Sequence, residues 1–270
     1  MLSSKSRATT KNIHFLAKLN TNVMPAQSLQ ALHCEEKWLN LPISTGCSPQ
    51  IWFAKVGDEP ASRIHQVLEQ LSSSEHTRLD AIKSDNKRQE YLLSRALMRH
   101  ALSEQFRRKP QDWVFVEKTN SPPLIENLPK GYWLSLSHSH GAICFVLHRE
   151  PIGVDIEQNK IRTNFSALAR AFMNEGELEL LNSNEPFIAD NFYKVWCAKE
   201  AFYKMTSPVH QENLYLKKID YFDLAKGRSN HLIHGHIDGN HLAIVTNAEL
   251  GNINAVQART LNGSIPIQWV

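Results

Sequence analysis

The stretch LSLSHSHGAICFVLHREPIGVDIE, Leu134 to Glu157, decides how the chain folds. Its apolar runs are parted by the turn-forming segments SHSHG and REP, a pattern that predicts three short antiparallel strands in a meander. In the last run the side chains alternate between faces. Ile152, Val154 and Ile156 point one way, and Gly153, Asp155 and Glu157 the other. The two carboxylates are then roughly 6–7 Å apart at Cα on one face, close enough to repel unless a cation lies between them. A solvated outer face is the plainer reading.

Upstream, KRQEYLLSRALMRHALSEQF, residues 87–106, is the strongest helical pattern in the chain. Leu93, Ala96, Leu97 and Ala101 form one apolar stripe, and Arg88, Arg95 and Arg99 cluster within roughly 40° on another face. That basic stripe reads as a solvated face, or else as one wall of an anion site. QIWFAKV, residues 50–56, and DWVFVEK, residues 112–118, read as strands, with TNSPPLIENLPKG as a loop after the second. Ser72, Ser73 and Ser74 before Glu75 predict the cap of a helix carrying Arg78 and Leu79.

Downstream the pattern predicts helices near 165–172 and 175–181 and a long helix from Asn191, NFYKVWCAKEAFYKMT. Within it Glu200 and Lys204 lie one turn apart beside Trp196, a surface pair by default and otherwise a third carboxylate for the Asp155 face. The runs NLYLKKIDYFDL, HLIHGHI and HLAIVTNA are expected to be strands. His231, His234, His236 and His241 flank those last runs; His-x-His spacing also occurs at metal sites, but the default is surface or partly buried residues. Each half of the chain thus carries helices followed by a small antiparallel sheet. The fold class expected is α+β in two pseudo-symmetric halves with the site between them: residues 1–49 an N-terminal extension, 50–149 the first half and 150–270 the second.

Composition narrows the function. The 270 residues are 42% hydrophobic and 21% charged, enough to bury a sizeable core, and contain no apolar run of membrane-spanning length. A net charge of +3 is too small for a dedicated nucleic-acid binder but suits an acidic partner or a phosphorylated ligand. Cys34, Cys47, Cys144 and Cys197 form no CxxC pair, which suggests a reduced, cytoplasmic setting. Lys5, Arg7, Lys11 and Lys18, with no acidic residue before Glu35, superficially resemble a transit peptide, although a variable extension is the plainer reading. Three oxygen ligands drawn from a strand and a helix, with no thiolate near, suit Mg²⁺ and a diphosphate substrate. A zinc hydrolase built on His138, His140 and Asp155 is the competing metal reading.

LSLSHS, IGVDIE and WCAKEAFYK, in that order and spacing, resemble the signatures of the surfactin-synthetase-type 4′-phosphopantetheinyl transferases. The resemblance extends loosely over residues 50–248. It implies a monomeric enzyme that moves the phosphopantetheine arm of coenzyme A onto a serine of an apo acyl or peptidyl carrier protein and releases adenosine 3′,5′-bisphosphate. It further implies that Asp155, Glu157 and Glu200 bind Mg²⁺. Ser137 and His138 would contact the coenzyme's 3′-phosphate, aided by Arg88 and Arg78, and Lys204 the phosphate under attack. Glu200 is the candidate base for the serine proton, with neutral Lys204 the competitor. A noncatalytic carrier-binding relative is the remaining alternative. The chain departs from the pattern at Ser135, where the family usually has Asn, at Pro122, which replaces a basic residue, and at Glu90, which replaces an Arg before Tyr91.

Overall fold

A computed structural model describes residues 48–117, 123–160, 164–182, 187–250 and 252–270. The expected N-terminal extension up to residue 47, with Cys34 and Cys47, and Pro122 lie outside them.

The first sheet is assembled from β1 (Gln50–Lys55), β4 (Trp133–Ser139) and β5 (Ala142–His148), with β5 in the middle and antiparallel to both neighbours. Two short strands from the end of the chain, β9 (Ala258–Thr260) and β10 (Gly263–Ile265), complete it in the order β10-β9-β1-β5-β4. The second sheet runs β11-β7-β8-β6, with β6 (Ile152–Gln158), β7 (His231–Ile237), β8 (Asn240–Thr246) and β11 (Gln268–Trp269). A two-residue ladder, β2 (Phe115–Val116) with β3 (Leu124–Ile125), stands apart.

Four layers result. Ile51, Phe53, Cys144 and Val146 of the first sheet pack on Ile152, Val154, Ile156, Leu242 and Ile244 of the second in one cluster. On the outer face of the first sheet, Trp52, Ala54, Phe145 and Leu147 meet Leu93, Leu97 and Ala101 of the long helix α3 (Asp85–Phe106), which follows α1 (Ala61–Gln70) and α2 (Ser73–Ala81). On the outer face of the second, Ala243 and Val245 meet Cys197, Ala201 and Met205 of α6 (Phe187–Met205), which follows the short helices α4 (Phe165–Ala169) and α5 (Glu175–Leu178). β5 is covered on both faces and buried at every position, which is why AICFVLH does not alternate. Among the described residues no helix is long and apolar enough to cross a membrane.

Three sequence expectations are corrected. The meander stops at two strands, because β1 occupies the second edge of β5 and β6 crosses to pair with β8. The run NLYLKKIDYFDL is not a strand: Leu216–Lys218 is a 3₁₀ turn, and Asp220, accepting from the Asp223 N–H, caps the helix Tyr221–Ala225. The arginine stripe on α3 is neither solvated nor an anion wall at Arg95 and Arg99, which are 3% and 1% exposed. Arg99 grips Glu75 through both terminal nitrogens, at 2.9 and 2.6 Å, and Arg95 bridges Glu75, at 3.3 Å, and Glu117. Each guanidinium also lies 4.3 Å from an aromatic ring centre, Arg95 over Tyr91 and Arg99 over Phe115.

Glu75 has a second task, since its carboxylate accepts from the Ser72 N–H while Ser72 Oγ accepts from the Glu75 N–H. The second half repeats the device. Glu177 closes the same reciprocal cap with Asn174 at the start of α5 and pairs at 2.6 Å with Lys199 of α6, both side chains fully buried. In each half a short helix is thus capped and tied to the long helix by one carboxylate.

Two consequences can be measured. Glu75→Ala, which strands two buried guanidinium groups, is expected to lower folding stability by about 3–5 kcal/mol in a denaturant titration. Gly153 lies under α6, where an added Cβ would stand 1.9 Å from the Ala201 carbonyl oxygen. Gly153→Ala is therefore expected to cost about 1–3 kcal/mol or more, read as a fall in Tm of about 3–10 °C.

Candidate active site

Edge strands β4 and β6 run side by side where the two sheets meet, and serine side chains take the place of a backbone ladder there. Ser135 Oγ accepts from the Val154 N–H at 3.1 Å, and Ser137 Oγ from the Ile156 N–H at 3.2 Å. Ser137 Oγ donates to Asp155 Oδ1 at 2.8 Å, and Ser139 Oγ to Glu157 Oε2 at 2.5 Å. One face of SLSHS thus addresses every backbone or carboxyl group that GVDIE presents to it, while Leu134 and Leu136 face the α3 core. Ser135 and Ser139 carry no role in the sequence reading; their i, i+2, i+4 spacing with Ser137 is the signal that places all three on one face.

Helix α6 covers the same carboxylates from the other side. Lys204 Nζ donates to Asp155 Oδ1 at 2.7 Å and to Ser137 Oγ at 2.9 Å, and the Trp196 indole donates to Glu157 Oε1 at 3.2 Å. Glu200 stands on this face of the helix one turn before Lys204. Asp155 is fully buried, and Glu157, Glu200 and Lys204 are nearly so. The solvated strand face and the surface Glu–Lys pair are therefore both excluded. Neighbouring Lys199 belongs to the fold, held by Glu177 and the Phe172 carbonyl.

The electrostatics show an excess of negative charge. Burial, and after it the Asp155 and Glu157 carboxylates, push the Glu200 carboxyl up to about 8 against the opposing field of Lys204. Burial works against the Lys204 charge, but Asp155 and Glu200 overcome it and hold its pKa above the ordinary lysine value. Among the described residues Asp155 Oδ2 accepts no nitrogen- or hydroxyl-borne hydrogen bond, and the Cys197 thiol lies beside this carboxylate. Among the described residues the only group of three or more potential metal ligands whose atoms all lie within 4.8 Å is Asp190, His236 and His241. Asp155, Glu157 and Glu200 thus share one buried face at wider spacing, with Lys204 on Asp155 and with Ser139 and Trp196 on Glu157.

The other expected site residues lie elsewhere. His138 points away from Ser137, its Nδ1 buried and 3.6 Å from Glu90 Oε2. Burial foremost pushes its imidazole down to about 4. Glu90 in turn pairs with Lys87 and accepts from the Gly141 N–H. Arg88 donates to the Leu79 and Ile82 carbonyls at the C-terminal end of α2, and Arg78 is solvent-exposed in the last turn of that helix. His140 sits in the β4–β5 turn at φ 49° with its Nδ1 2.9 Å from Ser139 Oγ, and among the described residues His138, His140 and Asp155 do not converge as a ligand group.

Residues 151–256 match a family model described as the 4′-phosphopantetheinyl transferase superfamily. A Synechocystis sp. protein whose name carries that activity provisionally is 32% identical over 162 residues, covering 58% of this chain and 64% of its own length. The 4′-phosphopantetheinyl transferase HetI of Nostoc sp. is 28% identical over 55% of this chain and 65% of its own, and the transferase Sfp of Bacillus subtilis strain 168 is 31% identical over 42% and 50%. The chain therefore spans between half and about two thirds of the length of these curated relatives. The matched region takes in β6 and α6, the two elements that carry the carboxylates, and there the chain is similar to 4′-phosphopantetheinyl transferases, Sfp among them.

Proposed function

We propose that the protein transfers the 4′-phosphopantetheine arm of coenzyme A to a serine hydroxyl of an apo acyl or peptidyl carrier protein. The observation that carries this reading is the buried face where three carboxylates, Asp155, Glu157 and Glu200, meet one ammonium, Lys204. Such a set is short of positive charge, and a divalent cation is what would draw the carboxylates together. All-oxygen ligands and an Asp155 Oδ2 that accepts no nitrogen- or hydroxyl-borne hydrogen bond among the described residues fit Mg²⁺. Bound there, Mg²⁺ would neutralise charge on the pyrophosphate of the coenzyme.

The chain's own residues supply positioning and proton handling. The carrier serine oxygen forms a bond to the β-phosphorus as the bond from that phosphorus to the bridging oxygen breaks, and adenosine 3′,5′-bisphosphate leaves with the electron pair. Glu200, as an ionised carboxylate beside the bound cation, is the candidate to take the serine proton. Lys204 in its neutral form is the competing base. Its ammonium has three N–H donors, two directed to Asp155 and Ser137, which leaves one for a phosphate oxygen. His138, whose Nδ1 is turned to Glu90, is the candidate contact for the 3′-phosphate through its other ring nitrogen. The small positive net charge suits an acidic carrier surface. We further propose a monomer working in the cytoplasm.

Incubating the protein with apo-carriers, coenzyme A and Mg²⁺ is expected to raise the carrier mass by one phosphopantetheine, and a chelator to stop the gain. No gain across a panel of fatty-acid, polyketide and peptide carriers would sink the reading. Glu200→Gln is expected to lower kcat by about 100-fold or more while the protein stays folded, because the base and a metal ligand go together. His138→Ala is expected to raise KM for coenzyme A about tenfold, the equivalent of one charge-assisted hydrogen bond, and to leave KM for dephospho-coenzyme A unchanged. Equal effects on both substrates would remove His138 from the 3′-phosphate.

A further inference from the structure

The second sheet carries another set of ligands that the transfer reaction does not use. The hairpin β7–β8 turns through Asp238 and Gly239, at φ 46° and 72°, the backbone of a two-residue type I′ turn, for which Asp-Gly is a preferred pair. That turn fixes the register and sets His236 directly opposite His241, so both imidazoles stand on the α6 face with ring centroids 4.3 Å apart. Asp190, in the first turn of α6, comes down over them. Its Oδ1 lies 3.0 Å from His241 Nε2 and 3.9 Å from His236 Nε2.

We propose that Asp190, His236 and His241 form a binding site for a divalent transition metal of the zinc class. Two imidazole nitrogens and one carboxylate oxygen, all within 4.8 Å of one another, are a three-ligand set that leaves a fourth position open. Ligand atoms around a tetrahedral zinc ion lie about 3.3 Å apart, given bonds of about 2.0–2.1 Å, so closing the set takes small rotations of the partly exposed His236 and Asp190 side chains. The second, independent observation concerns His241. The residue is 2% exposed, and its Nε2, aimed at the other two ligands, has among the described residues only the Asp190 carboxylate, 3.0 Å away, as a possible partner. A buried imidazole nitrogen of this kind calls for a partner. Tyr193, one turn along α6 from Asp190, stacks on the His241 ring at 5.8 Å and fixes its plane.

The site is chemically distinct from the carboxylate face. Imidazole selects zinc, cobalt or nickel, whereas carboxylates alone suit magnesium. Glu157 pairs with His241 across β6 and β8, so the two sets are neighbours on one sheet face. Lys194, one turn beyond Asp190, is the nearby opposing charge. A bound ion would join the start of α6 to the β7–β8 hairpin, elements that among these three residues are otherwise linked only by the Asp190 contacts. His236 is partly buried, as its sequence pattern leads one to expect, and His241 is fully buried. This inference does not depend on the transferase reading.

The full-length protein, stripped with a chelator, is the material for the test. Calorimetric titration is expected to give one equivalent of Zn²⁺ that excess Mg²⁺ does not displace, and Co²⁺ is expected to give the visible absorption bands of a four-coordinate site. His236→Ala and Asp190→Asn are each expected to weaken Zn²⁺ binding about 100-fold or more, as each removes one of three protein ligands, while Glu200→Gln leaves it intact. Zinc bound with unchanged affinity by His236→Ala and Asp190→Asn, loss of zinc in Glu200→Gln, or no uptake at micromolar Zn²⁺ would each overturn the proposal. His236 is partly exposed and Asp190→Asn is isosteric, so the two variants fail through folding independently of each other.

Discussion

The molecule depends on the seam where β4 and β6 lie side by side. Two sheets packed face to face each end in an edge strand there, and an unpaired edge presents backbone groups that need partners. Serine hydroxyls supply those partners, and because each hydroxyl both accepts and donates, the same atom that satisfies a β6 N–H can also hold a β6 carboxylate. Join the sheets by a continuous ladder instead and Asp155 and Glu157 would lose their first contacts. The catalytic chemistry proposed for this face is in that sense a by-product of how the two sheets are stitched together.

The two halves solve a shared problem in parallel. A long helix must be set at a fixed height on its sheet, and in each half a carboxylate at the third position of a short helix does this by capping that helix and gripping a cation from the long one. The cations differ, Arg99 in one half and Lys199 in the other. Arg99 meets its carboxylate with two parallel bonds, while Lys199 divides its donors between Glu177 and the Phe172 carbonyl. The likeness between these two ties is one of physical role rather than residue identity.

What was legible in the sequence was local. Strands β4 and β5, helix α3 and the long helix α6 follow from periodicity and turn residues, and the facing of Asp155 and Glu157 follows from strand alternation. The route of β6 was not legible, because the strand that displaces it from β5 is β1, about ninety residues upstream in the register Gln50 to Leu147. Arg95 and Arg99 look like surface charges until Glu75 and Glu117 arrive from other elements. The short terminal strands β9 to β11 carry too few residues for any period to show. His236 and His241 could have been set opposite each other from Asp-Gly alone, but nothing local announces Asp190, 46 residues before His236.

Gly153 acts through what it lacks. With no side chain beneath it, α6 settles directly onto the β6 backbone at Ala201, and Glu200 and Lys204 flank that point of contact on the helix. Strand and helix therefore meet at a fulcrum one residue from Asp155. The gap between the strand carboxylates and the helix residues is set by the thickness of two bare backbones, and a methyl group at position 153 would widen it without touching Asp155, Glu157, Glu200 or Lys204.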